Sequence, residues 1–365
     1  MIRFSNDYNH GAHPEILLAL ARTNDNAYEG YGLDEVCVSA ADKIRSLVGD
    51  TGAGVHFFVG GTQVNYIALE TMMMRPYESV IAADTGHISV HESGAIENTG
   101  HKVHQLPAVH GKITAEQIKK EAAFYAESYL VEHITHPSCV YISYPTEYGT
   151  VYSLSELEDI RRVCDEYGLY LFIDGARLGY GLASPDCDLT IEDIFRIADV
   201  FYIGGTKCGA LFGEALVIRT HELEDHIRNY MKMNGALLAK GWLLGLQFDT
   251  LLGSASGNPD DCLYFNITKS AVKKAVRIQQ ALDAAGFEPF IRSQSNQLFY
   301  ILPKPAVEVL SQNFIFEVFS WLDEDGNEIS TEPDSYDACA VVRFCTSWST
   351  TDEEADALVN AIKDL

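Results

Sequence analysis

The chain has 365 residues, 47% of them hydrophobic, enough for a substantial buried core and for more than one domain. Its 52 Asp and Glu residues outnumber 26 Lys and Arg, leaving a formal net charge of −26. Such a surface repels phosphate backbones and anionic lipid, which argues against nucleic acid or a membrane as partner. The opening stretch MIRFSNDYNHGAH lacks the apolar core of a secretory signal, and no apolar run approaches membrane-spanning length, so a cytoplasmic protein is expected. Eight dispersed cysteines without a CxxC pair are expected to be buried free thiols.

From Val55 to Ile218, short apolar and β-branched runs alternate with helical patterns, the signature of a parallel sheet with crossover helices. Seven strands are predicted: Val55–Val59, Ser79–Ala83, Lys102–Leu106, Ser138–Ile142, Leu169–Ile173, Asp199–Ile203 and Glu214–Ile218. QVNYIALETMMM and SLSELEDIRRVCDEYG carry apolar residues at helical spacing, the second opening on a Ser-x-x-Glu capping pattern at Ser153. After a Leu- and Gly-rich stretch the pattern becomes a helix (TKSAVKKAVRIQQALDAAG), three strands (NQLFYIL, FIFEVFSWL, AVVRFCTSW) and a closing helix. The expected fold class is α/β, with a large domain over residues 1–257 that includes the N-terminal segment, and a smaller α+β domain over 258–365.

In open α/β sheets ligands collect at the carboxyl ends of the strands. Three strand endings carry unusual chemistry. Gly60-Gly61-Thr62 precedes a helix, so the backbone can approach an anion at the helix N-terminus. It reads equally as a plain glycine turn. Asp174-Gly175-Ala176-Arg177 ends an apolar strand with a carboxylate that needs a cationic partner. Either Arg177 is that partner, or Asp174 faces a protonated ring nitrogen while Arg177 binds a substrate carboxylate. Gly204-Gly205-Thr206-Lys207 sets a lysine where desolvation favours the neutral, imine-forming amine, although a solvated lysine is the plainer reading. A pyridinium partner, an imine lysine and a phosphate cradle are together what pyridoxal 5′-phosphate requires.

FSNDYNHGAHPEIL, GGTQVN, HISVHESGA, PTEYGTVYSLSEL, FIDGARLGYG, IGGTKCGALFGEA and VVRFCTSWSTT follow one another in an order that resembles the low-specificity L-threonine aldolases. These are β-eliminating lyases with the aspartate-aminotransferase-like fold. The resemblance implies a Schiff base on Lys207, Asp174 at the pyridine nitrogen, and His87 stacked on the ring. It implies Gly61, Thr62 and Thr206 at the phosphate, and Arg177, Arg343 and Asn6 at the substrate carboxylate. Many members carry Asn-Thr-His-Asn where this chain reads Tyr144-Pro145-Thr146-Glu147, which sets Thr146 at the histidine sometimes proposed as base. The proton acceptor is left open among His87, Glu92, Glu147 and a bound water.

The implied reaction cleaves L-threonine or L-allo-threonine to glycine and acetaldehyde. The alternatives are β-elimination from another amino acid and a non-catalytic α/β binding protein with a structural Asp174–Arg177 pair. A homodimer or homotetramer is expected, with Lys232 and Lys240 reaching a neighbour's phosphate. His87, His91, Glu92, His101 and His104 lack a completed ligand set, so no metal is expected. The run DEDGN at Asp323 reads as a hairpin turn.

Overall fold

The computed structural model describes the chain except for residues 324, 325, 334 and 336. A two-residue strand β1 (Ile2–Arg3) opens it. The large sheet follows: β2 (Gly54–Phe58), β3 (Glu78–Ala83), β4 (Lys102–Leu106), β5 (His136–Ser143), β6 (Tyr170–Asp174), β7 (Val200–Gly204) and β8 (Glu214–Ile218). These are the seven strands expected from sequence, with ends moved by two residues at most. Their spatial order is β2-β8-β7-β6-β5-β3-β4; β8 runs antiparallel to both neighbours and the other pairings are parallel.

Both faces of this sheet are covered, and the strand alternation sorts its side chains into two cores. Ile142, Ile173 and Ile203 enter one; Tyr141, Phe172 and Tyr202 enter the other, as a row with ring centroids 5.6 and 6.2 Å apart. Parity then dictates that Asp174, two residues beyond Phe172, faces the side of the two tyrosines. Helix Gly61–Met72 packs on that side, and helix Leu154–Tyr167 starts with the expected capping box between Ser153 and Glu156.

Beyond residue 258 a 22-residue helix, Leu263–Ala284, starts five residues earlier than expected. It is followed by β9 (Glu288–Ile291), β10 (Gln297–Pro303), β11 (Phe314–Ile315), β12 (Glu317–Leu322), β13 (Glu328–Ile329) and β14 (Cys339–Cys345). Strand β9 and helix Lys304–Ser311 were not anticipated, and the single run from Phe314 divides into β11 and β12. The order β13-β12-β14-β10-β9 is antiparallel throughout. In the hairpin expected at Asp323, Leu322 pairs with Glu328, while residues 324 and 325 lie outside the described residues. The N-terminal segment, grouped from sequence with the large domain, lies against this second sheet. There β1 runs parallel to β11, and Phe4, fully buried, joins the C-terminal core beside Phe314. Among the described residues no helix is long and apolar enough to cross a membrane.

The turns after β6 and β7 cross at contact distance, and the Gly204 N–H donates to the Gly175 carbonyl at 3.0 Å. A Cβ on Gly175 would stand 1.8 Å from the Tyr202 carbonyl oxygen. Gly175→Ala is expected to lose about 3 kcal/mol of stability or more through this overlap. Gly60→Ala, with nothing within 4 Å of the added carbon, should stay within about 0.5 kcal/mol of the parent. Urea midpoints of the two variants check the contrast.

Candidate active site

Asp174 is 4% exposed, and its charge is met by four donors. Tyr202 Oη donates to Oδ1 and Tyr141 Oη to Oδ2, each at 2.5 Å, while the Ala176 N–H and Asn65 Nδ2 donate at 2.9 and 3.1 Å. Burial pushes the carboxyl up, but the field of His87 and these hydrogen bonds outweigh it and hold Asp174 below the ordinary aspartate value. His87 is the reciprocal case. Burial disfavours its imidazolium, yet Nδ1, 2.8 Å from Glu92 Oε1, and the nearby Asp174 charge raise it above the usual histidine value. Glu92 is sealed, with a fully buried side chain, and also accepts from Asn65 Nδ2 at 2.8 Å.

All seven residues expected to hold the cofactor border one cavity of about 260 Å³: Gly61, Thr62, His87, Asp174, Arg177, Thr206 and Lys207. At one end lies the start of helix Gly61–Met72, whose N-cap Gly60 provides no side-chain cap. Its first N–H groups have no partner within the helix and are free for a phosphate. A Cβ on Gly61 would sit 3.0 Å from Tyr202 Oη, close enough to press on the hydroxyl that donates to Asp174. Burial first, and then the Arg177 guanidinium, push Lys207 below the ordinary lysine value toward the free amine. A charged carboxylate, a depressed lysine and an uncapped helix start thus fit the pyridine nitrogen, aldehyde and phosphate of pyridoxal phosphate.

Arg177, Lys207, His87 and Glu147 also border an adjoining chamber of about 540 Å³, which Arg343 enters from β14. Arg343 Nη2 donates to the Ser5 carbonyl at 2.9 Å and Nη1 to Gln297 Oε1 at 3.2 Å, and the guanidinium pairs with Glu317. The guanidinium of Arg177 is taken as a fork by Asp7, with Nε and Nη2 at 2.7 and 3.0 Å from its two oxygens. The open question of a structural Asp174–Arg177 pair is thereby answered: Arg177 pairs with Asp7, and Asp174 is satisfied elsewhere. Asn6 borders neither cavity, and its Oδ1 accepts the Tyr8 N–H at 3.1 Å in a local turn.

Sequence reasoning passed over several residues that complete the site. Asp7 lay beside the chosen Asn6. Asn65 is a polar residue on an otherwise apolar helix face, a legible sign of a buried hydrogen bond. Thr146, the position aligned with the family histidine, is 1% exposed with its hydroxyl 2.7 Å from that of Thr150, whereas Glu147 borders both cavities. The other histidines disperse: His101 Nδ1 meets the Glu78 carbonyl at 3.1 Å, and His104 pairs with Glu121.

This arrangement is that of the pyridoxal-phosphate enzymes of the aspartate aminotransferase fold. Thermus thermophilus aspartate aminotransferase superposes with a TM-score of 0.68 at 14% identity, covering all of this chain and 91% of the other. The sequence model of the beta-eliminating lyases matches residues 13–287, and the chain belongs to that family. A Leishmania major threonine aldolase structure superposes at TM-score 0.89 with 43% identity, over 100% of this chain and 99% of the other. The low specificity L-threonine aldolase of Pseudomonas aeruginosa is 29% identical over 371 residues, covering 99% of this chain and 97% of its own.

Glu214 also borders the cofactor cavity, buried, with Oε2 accepting the Gly205 N–H at 3.0 Å. Burial pushes its carboxyl up to about 7 from 4.5. A carboxyl raised on folding binds its proton more tightly in the native chain. Its stabilisation is therefore complete below pH 4.5 and is lost as the pH rises through 7. Glu214→Gln is expected to remove about 3 kcal/mol from the pH dependence of stability across that window. Denaturation of both cofactor-free proteins from pH 4.5 to 7.5 checks it, and parallel curves would overturn it.

Proposed function

We propose that this chain is a pyridoxal-phosphate-dependent carbon–carbon lyase that cleaves L-threonine and L-allo-threonine to glycine and acetaldehyde. The observation that carries this reading is the meeting of Lys207, Asp174 and the open helix start in one cavity, beside a second chamber that receives Arg177 and Arg343. The threonine aldolase name of the Leishmania major structure, at 43% identity over the whole chain, supports the choice of substrate.

In this reading Lys207, whose burial favours the free amine, would hold the cofactor through its aldehyde. Asp174 would keep the pyridine nitrogen protonated, and His87 would cover the ring. Gly61, Thr62 and Thr206 would hold the phosphate, while Arg177, kept in place by Asp7, acts with Arg343 on the substrate carboxylate; Asn6, turned to the Tyr8 N–H, is left out of that group. Bound pyridoxal phosphate supplies the electron-withdrawing ring that stabilises the pair left on the substrate Cα. Fixing the carboxylate would orient the substrate and so select which Cα bond breaks.

The division of the chain at residues 1–257 and 258–365 and a cytoplasmic location belong to the same reading. So does assembly as a homodimer or homotetramer. Among the described residues, no lysine or arginine other than Lys207 and Arg177 borders the cofactor cavity. Lys232 and Lys240 are exposed on the surface, where they could serve a second copy.

The purified protein should show an absorption band abolished by borohydride and absent in Lys207→Ala, with glycine released from L-threonine only by the parent. A reducible band without glycine would point to β-elimination, and no band would sink the cofactor assignment. Arg343→Ala should lower kcat/KM for L-threonine by about 10- to 100-fold, the loss of a charge-assisted carboxylate contact, while leaving the absorption band intact. Steady-state kinetics check this.

A further inference from the structure

Cleavage of a β-hydroxy amino acid needs a group that takes the hydroxyl proton, and resting on the aldolase reading we infer that this group is Glu147. It follows β5 in the turn after Ser143 and borders both the cofactor cavity and the adjoining chamber. Ser143 Oγ donates to its Oε1 at 2.6 Å and the His87 backbone N–H at 2.9 Å, so two donors hold the carboxylate in place and offset part of the cost of burying its charge. Its backbone carbonyl accepts from Gln297 Nε2 at 3.3 Å, and the same amide receives Arg343 through Oε1. One side chain thus ties the turn of the base to the arginine at the carboxylate end of the chamber.

The other candidates are committed elsewhere. Glu92 is sealed and borders neither cavity. His87 is engaged through Nδ1 with Glu92, and in the reading above its ring is given to the cofactor. Asp84 accepts the Ala108 N–H at 3.0 Å, and Glu317 is paired with Arg343. Thr146 turns its hydroxyl to Thr150. His91 is the remaining competitor, but it is exposed and borders only the outer chamber. Burial raises the Glu147 carboxyl above the ordinary glutamate value, toward the range in which a carboxylate is an effective base.

In this step the β-hydroxyl O–H bond breaks and its proton passes to Glu147. The oxygen pair so freed forms the aldehyde C=O as the Cα–Cβ bond breaks, and that bond's pair stays on Cα, which is then protonated to glycine. Glu147 returns its proton to solvent. Glycine itself has no hydroxyl, so exchange of its α-proton does not need this base.

The test compares holoenzyme variants in two reactions: cleavage of L-threonine, and exchange of the glycine α-proton for deuterium followed by NMR. Glu147→Gln should lose about 100-fold or more in cleavage, the scale of a general base, and keep glycine exchange within about threefold. Glu147→Asp, which retains a carboxylate, should recover at least about tenfold of the lost cleavage. Cleavage by Glu147→Gln within about fivefold of the parent would overturn the assignment, with His91→Asn showing whether the role passes to that ring. An equal loss of cleavage and exchange would also overturn it, by making Glu147 structural. A parent that exchanges glycine yet releases none from threonine would overturn the aldolase reading and this role with it.

Discussion

A carboxylate that stays charged while almost fully buried is the constraint on which this site depends. Asp174 has lost nearly all contact with water, a cost of several kcal/mol unless donors replace the solvent. Its donors come from β5, β7, the turn after β6 and helix Gly61–Met72. Asp174 therefore cannot be placed without also fixing the position of that helix and of both neighbouring strands. Asn65 extends the coupling, because it binds Asp174 and Glu92 through one Nδ2, and Glu92 in turn holds His87. The group that would lie over the cofactor ring and the group at its nitrogen are thus aligned by one buried amide.

The second ionic element organises the chain at longer range. Asp7 is fully buried with Arg177 and also accepts Asn296 Nδ2 at 2.9 Å, so the N-terminal segment, the turn after β6 and the C-terminal part meet at one charge pair. Burial would raise Asp7, but Arg177, Lys207 and these hydrogen bonds hold it below the usual aspartate value. The pairing of β1 with β11 and the burial of Phe4 give this segment an apolar anchor just before its polar residues enter the site. The sequence FSND thus divides its work by residue, with Phe4 for packing, Ser5 for a carbonyl contact to Arg343, Asn6 for a turn and Asp7 for Arg177.

How much of this was legible in the sequence follows from how each element is stabilised. Strands β3, β7 and β8 of the large sheet are buried at every position, so each appears as a mostly apolar run whose ends are easily found. Strand β9 has four residues, one of them Pro289, and no fully buried position, so no pattern announces it. Helix Lys304–Ser311 is short and opens with Pro305, which is well tolerated in a first turn but does not itself announce a helix. The strand-end motifs could be read because their chemistry is local. Asp7 and Asn65 act through contacts across tens to hundreds of positions, which composition and spacing do not encode.

Thr146 and Glu147 show where residue-by-residue transfer from a family reaches its limit. Alternation along β5 tells which side chains face which layer only as far as Ser143, where the strand ends. In the turn that follows no period applies, so a shift of one position in the aligned segment exchanges a sealed threonine for a carboxylate at the cavity wall. The structure selects the register by satisfying hydrogen bonds: the Thr146 N–H donates to the Thr150 carbonyl and the Gly149 N–H to the Thr146 carbonyl, closing a tight loop. That loop turns Thr146 inward toward Thr150, whose own hydroxyl donates to the His110 carbonyl. Glu147 is left between Ser143 and the His87 N–H, at the boundary of the two cavities.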